Sequence, residues 1–216
     1  MIGVQFNQVG GNALALSSVG SLDDTMAGFD DEIIFATEMR VWDGNGYDTY
    51  GWTGTSGTDV LEDESMDKQW LNFDLEDDGS TMAPGAAMWI KAGSTGTLTV
   101  SGEVPEETTR TVNLAAGFNM LAYPYPMEVP ISTFATLDTS MAGFDEEIIF
   151  ATEMRVWDGN GYDTYGWTGT YGTDILEDSS MDNKWLNYDL EDNGDTLSFG
   201  EGFWIKAATP GTLTFK

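Results

Sequence analysis

The sequence predicts an all-β protein made of two tandem, near-identical domains, each a β-sandwich or barrel-like unit. Three observations carry this expectation. First, Met26-Ala-Gly-Phe-Asp30 returns as Met141-Ala-Gly-Phe-Asp145, and Glu32–Thr55 returns without a change as Glu147–Thr170. Gly96-Thr-Leu-Thr99 has its copy in Gly211-Thr-Leu-Thr214. A repeat of fixed period marks a duplicated structural unit. Second, β-branched and aromatic residues gather in short runs between turn signals, spaced for roughly six to eight strands per unit. Third, 26 glycines against 6 prolines suit many tight turns. The expected boundaries are 1–107 for the first domain and 108–216 for the second.

The elements follow in order. Met1–Phe6 reads as a short strand, aligned with Met120–Tyr125, and Asn7–Asn12 as a turn. The small apolar run Asn12–Leu16 leaves its type open. Ser21–Gly28 fits one helical turn, with Ser21 as cap, acids in its first turn and Gly28 at its end. Glu32–Trp42 is rich in β-branched and aromatic residues and reads as a strand. Asp43-Gly-Asn-Gly46 is a hairpin turn, because glycine and asparagine accept the positive φ it needs. Tyr47–Thr53 returns, with Tyr47 and Thr49 on one face and Asp48, Tyr50 and Trp52 on the other. The copy of this hairpin is Glu153–Thr168. Gly54–Lys68 reads as a loop, Gln69–Leu75 as a strand and Glu76–Ser80 as an acidic turn. Pro84-Gly85 opens a strand through Met88–Lys91, matched by Gly200–Lys206. Gly96–Val100 closes the first unit.

Ser101–Thr109 reads as the connection between the units. Thr111–Leu114 is then a strand, and Gly117-Phe-Asn119 leads into Met120–Tyr123. Pro124, Pro126 and Pro130 break the chain before the short apolar segment Ile131–Leu137. The units therefore differ: Thr111–Asn119 precedes the second, and the first starts at the residue matching Met120. A sheet short of one strand offers an exposed edge, and such edges recruit other chains. The expected interface joins Met1, Ile2, Val4 and Phe6 at one end to Thr212, Leu213 and Phe215 of the last strand at the other. Heterologous contacts of this kind build filaments when they do not close.

Charge narrows the function. There are 37 acidic and 8 basic residues, for a formal net charge of −29. Such a chain repels phosphate backbones and anionic lipid surfaces, so neither nucleic-acid binding nor membrane insertion is expected. No run approaches the length of a membrane span. Met1–Phe6 lacks the basic and apolar regions of a signal peptide, so an exported chain would be seen here in its mature form. With no cysteine and no histidine, disulfides, thiolate metal sites and the commonest general base are excluded.

Acidic surfaces attract hard cations, and calcium is the cofactor candidate. Asp74, Glu76 and Asp78, with Asp189, Glu191, Asn193 and Asp195, place oxygens at alternate positions near a glycine. The position of the bidentate acid in a full EF-hand loop is Gly85 or Gly200, so an EF-hand is rejected. An acidic β-turn without metal explains the same residues. Asp43, Asn45 and Asp48 and their copies are explained by the hairpin alone. A second candidate surface is aromatic: Trp42, Tyr47, Tyr50 and Trp52, with Trp157, Tyr162, Tyr165 and Trp167 in the copy, either stack on sugar rings or fill a core, and the expected binding face is Trp42, Tyr50, Trp52, Trp157, Tyr165 and Trp167. Packing is favoured, because a small β-domain needs the bulk. Paired carboxylates suit glycoside hydrolysis, but acids this dense single out no pair. No nucleophile elbow, phosphate loop or dinucleotide fingerprint is present. No enzymatic activity is expected.

Gly117-Phe-Asn-Met-Leu-Ala-Tyr-Pro-Tyr-Pro126, Arg155-Val-Trp-Asp-Gly-Asn-Gly-Tyr162 and Gly200-Glu-Gly-Phe-Trp-Ile-Lys206 carry a resemblance. The chain resembles the β-rich tandem-repeat secreted and cell-surface proteins of planctomycete- and verrucomicrobium-type bacteria. Pro84–Trp89 keeps the last of these motifs only in part. The resemblance implies an extracellular, non-catalytic role. The expected function is a structural protein that self-assembles head-to-tail into a surface filament or layer. The alternative is an adhesive module that binds carbohydrate or surface glycans.

Overall fold

Short runs of β-branched and aromatic residues, each stopped by a glycine or Asx turn, leave room for little but short strands. The computed structural model describes residues 1–6, 13–23, 26, 35–55, 63–141, 143, 150–170 and 178–216. The protein is all-β and sandwich-like, with several separate sheets. Among the described residues the helical segments are single 3-10 turns at Leu16–Ser18, Glu64–Met66 and Ser179–Met181.

The first half contributes β1 (Ile2–Gly3), β2 (Leu14–Ala15), β3 (Ser21–Leu22), β4 (Glu38–Trp42), β5 (Tyr47–Trp52), β6 (Trp70–Leu71), β7 (Thr81–Met82), β8 (Ala87–Lys91) and β9 (Leu98–Thr99). The second contributes β10 (Arg110–Leu114), β11 (Gly117–Ala122), β12 (Val129–Pro130), β13 (Ala135–Leu137), β14 (Glu153–Trp157), β15 (Tyr162–Trp167), β16 (Trp185–Leu186), β17 (Thr196–Leu197), β18 (Gly202–Ala207) and β19 (Gly211–Phe215). The repeated sequence gives repeated sheets. One has the order β1-β8-β4-β5-β6, the other β11-β18-β14-β15-β16. The aromatic hairpin has one register in both copies, with Trp42 opposite Tyr47 and Trp157 opposite Tyr162.

Packing explains why the hairpin sequence is so exacting. A Cβ placed on Gly51 would stand 1.6 Å from the Phe35 ring, and one on Gly166 equally close to Phe150. Each glycine is the flat floor on which a fully buried phenylalanine lies. Trp52 packs on Trp70 at 5.2 Å between ring centres, and Trp167 on Trp185 at 5.3 Å. These four rings are almost completely buried in their cores.

The two five-stranded sheets meet reciprocally. Gly3 N–H donates to the Gly200 carbonyl at 2.8 Å, and Ala122 N–H to the Gly85 carbonyl at 2.9 Å. Ile2 bridges Glu201 just as Leu121 bridges Ala86. Gly3 and Ala122, Ile2 and Leu121, Gly85 and Gly200 are corresponding positions of the repeat. The junction thus has the self-complementary form of a two-fold interface within one chain. Its small core is Ala87, Met120, Ala122 and Trp204, with Met1, Trp42 and Trp89 against it.

Several expectations change. Ser21–Leu22 is a strand on Leu98–Thr99, not the start of a helical turn, because pairing buries Leu22. Leu14–Ala15 resolves the open apolar run as strand. Gln69–Leu75 pairs only at Trp70–Leu71, since Asn72 Oδ1 accepts from the amides of Asp74 and Glu76 and turns the chain. Val129–Pro130, unforeseen, pairs with Thr196–Leu197. The expected turn over 7–12 and the start of the strand over 32–34 lie outside the described residues, as do residues 56–62 of the expected loop.

The expected interface changes most. Met1, Ile2, Val4 and Phe6 are not free for other chains. Ile2 pairs with Met88, Val4 is completely buried, and Gly202 N–H donates to the Met1 carbonyl at 3.4 Å. Phe6 meets Phe199 edge-on at 6.5 Å. Thr212, Leu213 and Phe215 do not form an unprotected last strand. They sit in β19, the centre of the order β10-β19-β13, where Leu213 and Phe215 are completely buried.

Candidate functional site

The junction brings the two aromatic hairpins together and leaves a cleft of about 280 Å³ between them. Its lining is Trp42, Tyr47, Phe118, Arg155, Tyr162 and Trp204. Strand alternation sets each ring. In β5 the face carrying Tyr50 and Trp52 turns inward, so Tyr47 is left on the outer face, and Tyr162 follows in the copy. Both are 44% exposed. Trp42 and Trp204 meet edge-on at 5.6 Å, mirrored by Trp89 and Trp157 at 6.1 Å. Trp42 Nε1–H donates to the Phe118 carbonyl at 2.8 Å and fixes the indole as a wall. Phe118 packs edge-on against Trp204 at 5.8 Å.

Arg155 supplies the cleft's cation. Its Nε and Nη2 donate to Glu153 Oε2 at 3.2 and 2.8 Å, and its guanidinium lies 5.4 Å from the Phe118 ring centre. Nη1 has no hydrogen-bond partner among the described residues. Burial and the neighbouring Tyr162 phenol push the Tyr47 hydroxyl above its ordinary pKa, so it remains a neutral donor and acceptor at physiological pH. The cleft therefore offers flat apolar rings, a phenol and a guanidinium N–H, with no carboxylate in its lining.

Of the expected aromatic face, Trp42 lines this cleft. Trp157 stands across the junction against Trp89 and Tyr162. Tyr50, Trp52, Tyr165 and Trp167 are core residues, because the inward face of the return strand carries them. Tyr47 and Tyr162 belong to the aromatic cluster the sequence singles out, though not to the face expected to bind, and sequence reasoning misses Phe118, Arg155 and Trp204. The alternation separating Tyr47 from Trp52 is the available signal, but it does not say which face points out.

The acidic turns are occupied by backbone and tyrosine. Asp77 Oδ1 accepts from Gly79 N–H and Asp78 Oδ1 from Ser80 N–H, both at 2.9 Å. Asp78 Oδ2 accepts from the Tyr50 hydroxyl at 3.0 Å, and Asp195 Oδ2 accepts from the Tyr165 hydroxyl. Burial first, then this bond and the Asp195 charge, push the Tyr165 phenol well above its ordinary range. Asn193 Oδ1 accepts from Asp195 N–H at 3.4 Å. Asp74, Glu76, Asp189 and Glu191 are exposed. Among the described residues no three carboxylates converge as a metal site needs. Of the residues expected to hold calcium, Asp74, Glu76, Asp78, Asp189, Glu191, Asn193 and Asp195, Asp78 and Asp195 hold the hairpin tyrosines and Asn193 closes an Asx turn.

No helix among the described residues is long and apolar enough to cross a membrane. No protein-family model matches the chain, and comparison with curated proteins and with solved structures finds no match.

Proposed function

We propose that the chain is two tandem copies of one β-domain, working outside the cell as a non-catalytic adhesive module that holds a neutral saccharide in the junction cleft. One observation carries the reading: Tyr47 and Tyr162 expose their rings on either side of a cleft that also presents Arg155 Nη1, unpaired among the described residues. Aromatic faces stack on the apolar C–H faces of sugar rings, while phenol and guanidinium groups hydrogen-bond hydroxyls. An aromatic cage of this composition would also suit a quaternary ammonium group, but Arg155 opposes a cation there. A net charge of −29 opposes an acidic glycan.

Binding of neutral oligosaccharides, measured by glycan array and then by calorimetry, tests the reading. Tyr47→Ala with Tyr162→Ala is expected to abolish binding while leaving the fold intact. Phe73→Ser, at an exposed aromatic outside the cleft, is expected to leave it unchanged. Absence of saccharide binding, or binding indifferent to the tyrosine pair, defeats the proposal. Head-to-tail assembly into a surface filament or layer loses the residues first named for it. It keeps the support of one observation, the unequal small sheets of the two halves.

A further inference from the structure

In the second half β19 is flanked on both sides, by β10 and β13. Its counterpart β9 is flanked by β3 alone. Among the described residues nothing pairs with the other edge of β9. Where β10 would lie there is a groove of about 320 Å³, lined by Ile2, Phe6, Leu98, Thr99, Val100 and Phe199 among others. Leu98 and Val100 correspond to Leu213 and Phe215. The latter pair is completely buried, whereas the former is only partly covered.

We propose that this groove is a docking site for an extended peptide segment of the β10 pattern. The second half shows what such a segment must offer. Val112 lies opposite Leu213, Thr111 opposite Thr214 and Arg110 opposite Phe215. Leu114 is buried, and Val112 packs against the same core. Thr111 and Thr214 share a hydroxyl–hydroxyl bond of 2.9 Å. Thr99 corresponds to Thr214, and its hydroxyl has no partner among the described residues. An incoming strand therefore finds an open row of backbone groups, an apolar floor at Leu98 and Val100, and a threonine that fixes the register. Main-chain pairing supplies affinity in strand addition of this kind, and alternate side chains supply specificity.

A second copy's own β10 is a poor donor. Leaving β19 would uncover Leu213 and Phe215, so the exchange gains no burial. The occupant is instead a segment whose strand is not already used.

The test uses the whole chain and a labelled synthetic peptide of residues 107–116. Saturable binding is expected, with amide-exchange protection appearing at Leu98–Val100. A peptide carrying Val112→Lys and Leu114→Lys should bind at least about tenfold more weakly, since it loses both apolar side chains that face the core. The changes lie in the peptide, so the protein's folding does not confuse the result. No binding at millimolar peptide, equal binding of the two peptides, or protection confined to Thr212–Phe215 would each overturn the proposal. The last outcome would mean that the peptide merely displaces β10.

Discussion

Gly3 and Ala122 hold the same position in the two copies and meet face to face across the junction. A Cβ built on Gly3 would stand 2.2 Å from the Ala122 Cβ and 3.2 Å from the Glu201 carbonyl. One methyl group fits where the repeat would place two. Gly3→Ala is expected to cost about 1–3 kcal/mol by forcing the sheets apart. Adding Ala122→Gly should restore most of the loss, since the double variant again has one methyl. Chemical unfolding of the three chains measures this. Strictly additive losses would show that the two positions do not share one space.

The floor of the hairpin is tighter still. Gly51→Ala drives a methyl into the Phe35 ring and is expected to cost about 3 kcal/mol, with a similar loss for Gly166→Ala beneath Phe150. A Cβ on Gly46, by contrast, would meet nothing within 4 Å. Gly46→Ala should therefore change stability by less than about 0.5 kcal/mol. Equal losses at Gly46 and Gly51 would assign the effect to backbone freedom rather than to the ring.

Duplication and all-β character were legible because both are written locally, in identical segments and in runs such as Arg40-Val-Trp-Asp-Gly-Asn-Gly46. The place of Met1–Phe6 was not legible. Among the described residues the unpaired edge belongs to Leu98–Thr99, while Ile2 pairs with Met88 of its own half and also bridges Glu201 of the other. That outcome depends on contacts such as Gln5 Nε2 donating to the Tyr123 and Tyr125 carbonyls, 118 and 120 residues further along the chain. Pairings of such long range leave no local trace in a sequence. The cleft was hidden for a related reason. Alternation assigns Tyr47 and Trp52 to opposite faces, but only packing decides that Trp52 goes inward. The acidic turns are ambiguous in the sequence because Asp and Asn serve calcium and Asx turns with the same oxygens.

Tyr125 is a polar group without a counterpart. Its hydroxyl is buried and has no hydrogen-bond partner among the described residues. The ring itself packs on Tyr123 at 5.3 Å. Tyr125→Phe keeps the ring and removes an uncompensated hydroxyl, so stability should be unchanged or rise by about 1 kcal/mol. A loss of comparable size in thermal unfolding would reveal that the hydroxyl does find a partner.

Glu38 offers a pH test whose sign is fixed. The carboxylate is mostly buried, and burial alone would raise its pKa. Bonds to Arg40 Nη2 at 2.6 Å and Lys91 Nζ at 3.2 Å, with the charges behind them, outweigh burial and hold it below the ordinary value. The folded protein therefore binds that proton less readily than the unfolded chain. Its contribution is complete above the unfolded pKa, near 4.5, and fades as pH falls through that value to the lower folded one. Glu38→Gln keeps the size and removes the charge. The variant should be less stable than the parent at pH 7, and the gap should narrow steadily below about pH 4.5. Urea unfolding of both chains from about pH 7 to about pH 3 reads the difference directly, with the remaining carboxylates common to both. A gap that stays constant throughout would mean that Glu38 contributes by shape and hydrogen bonding, not by its charge.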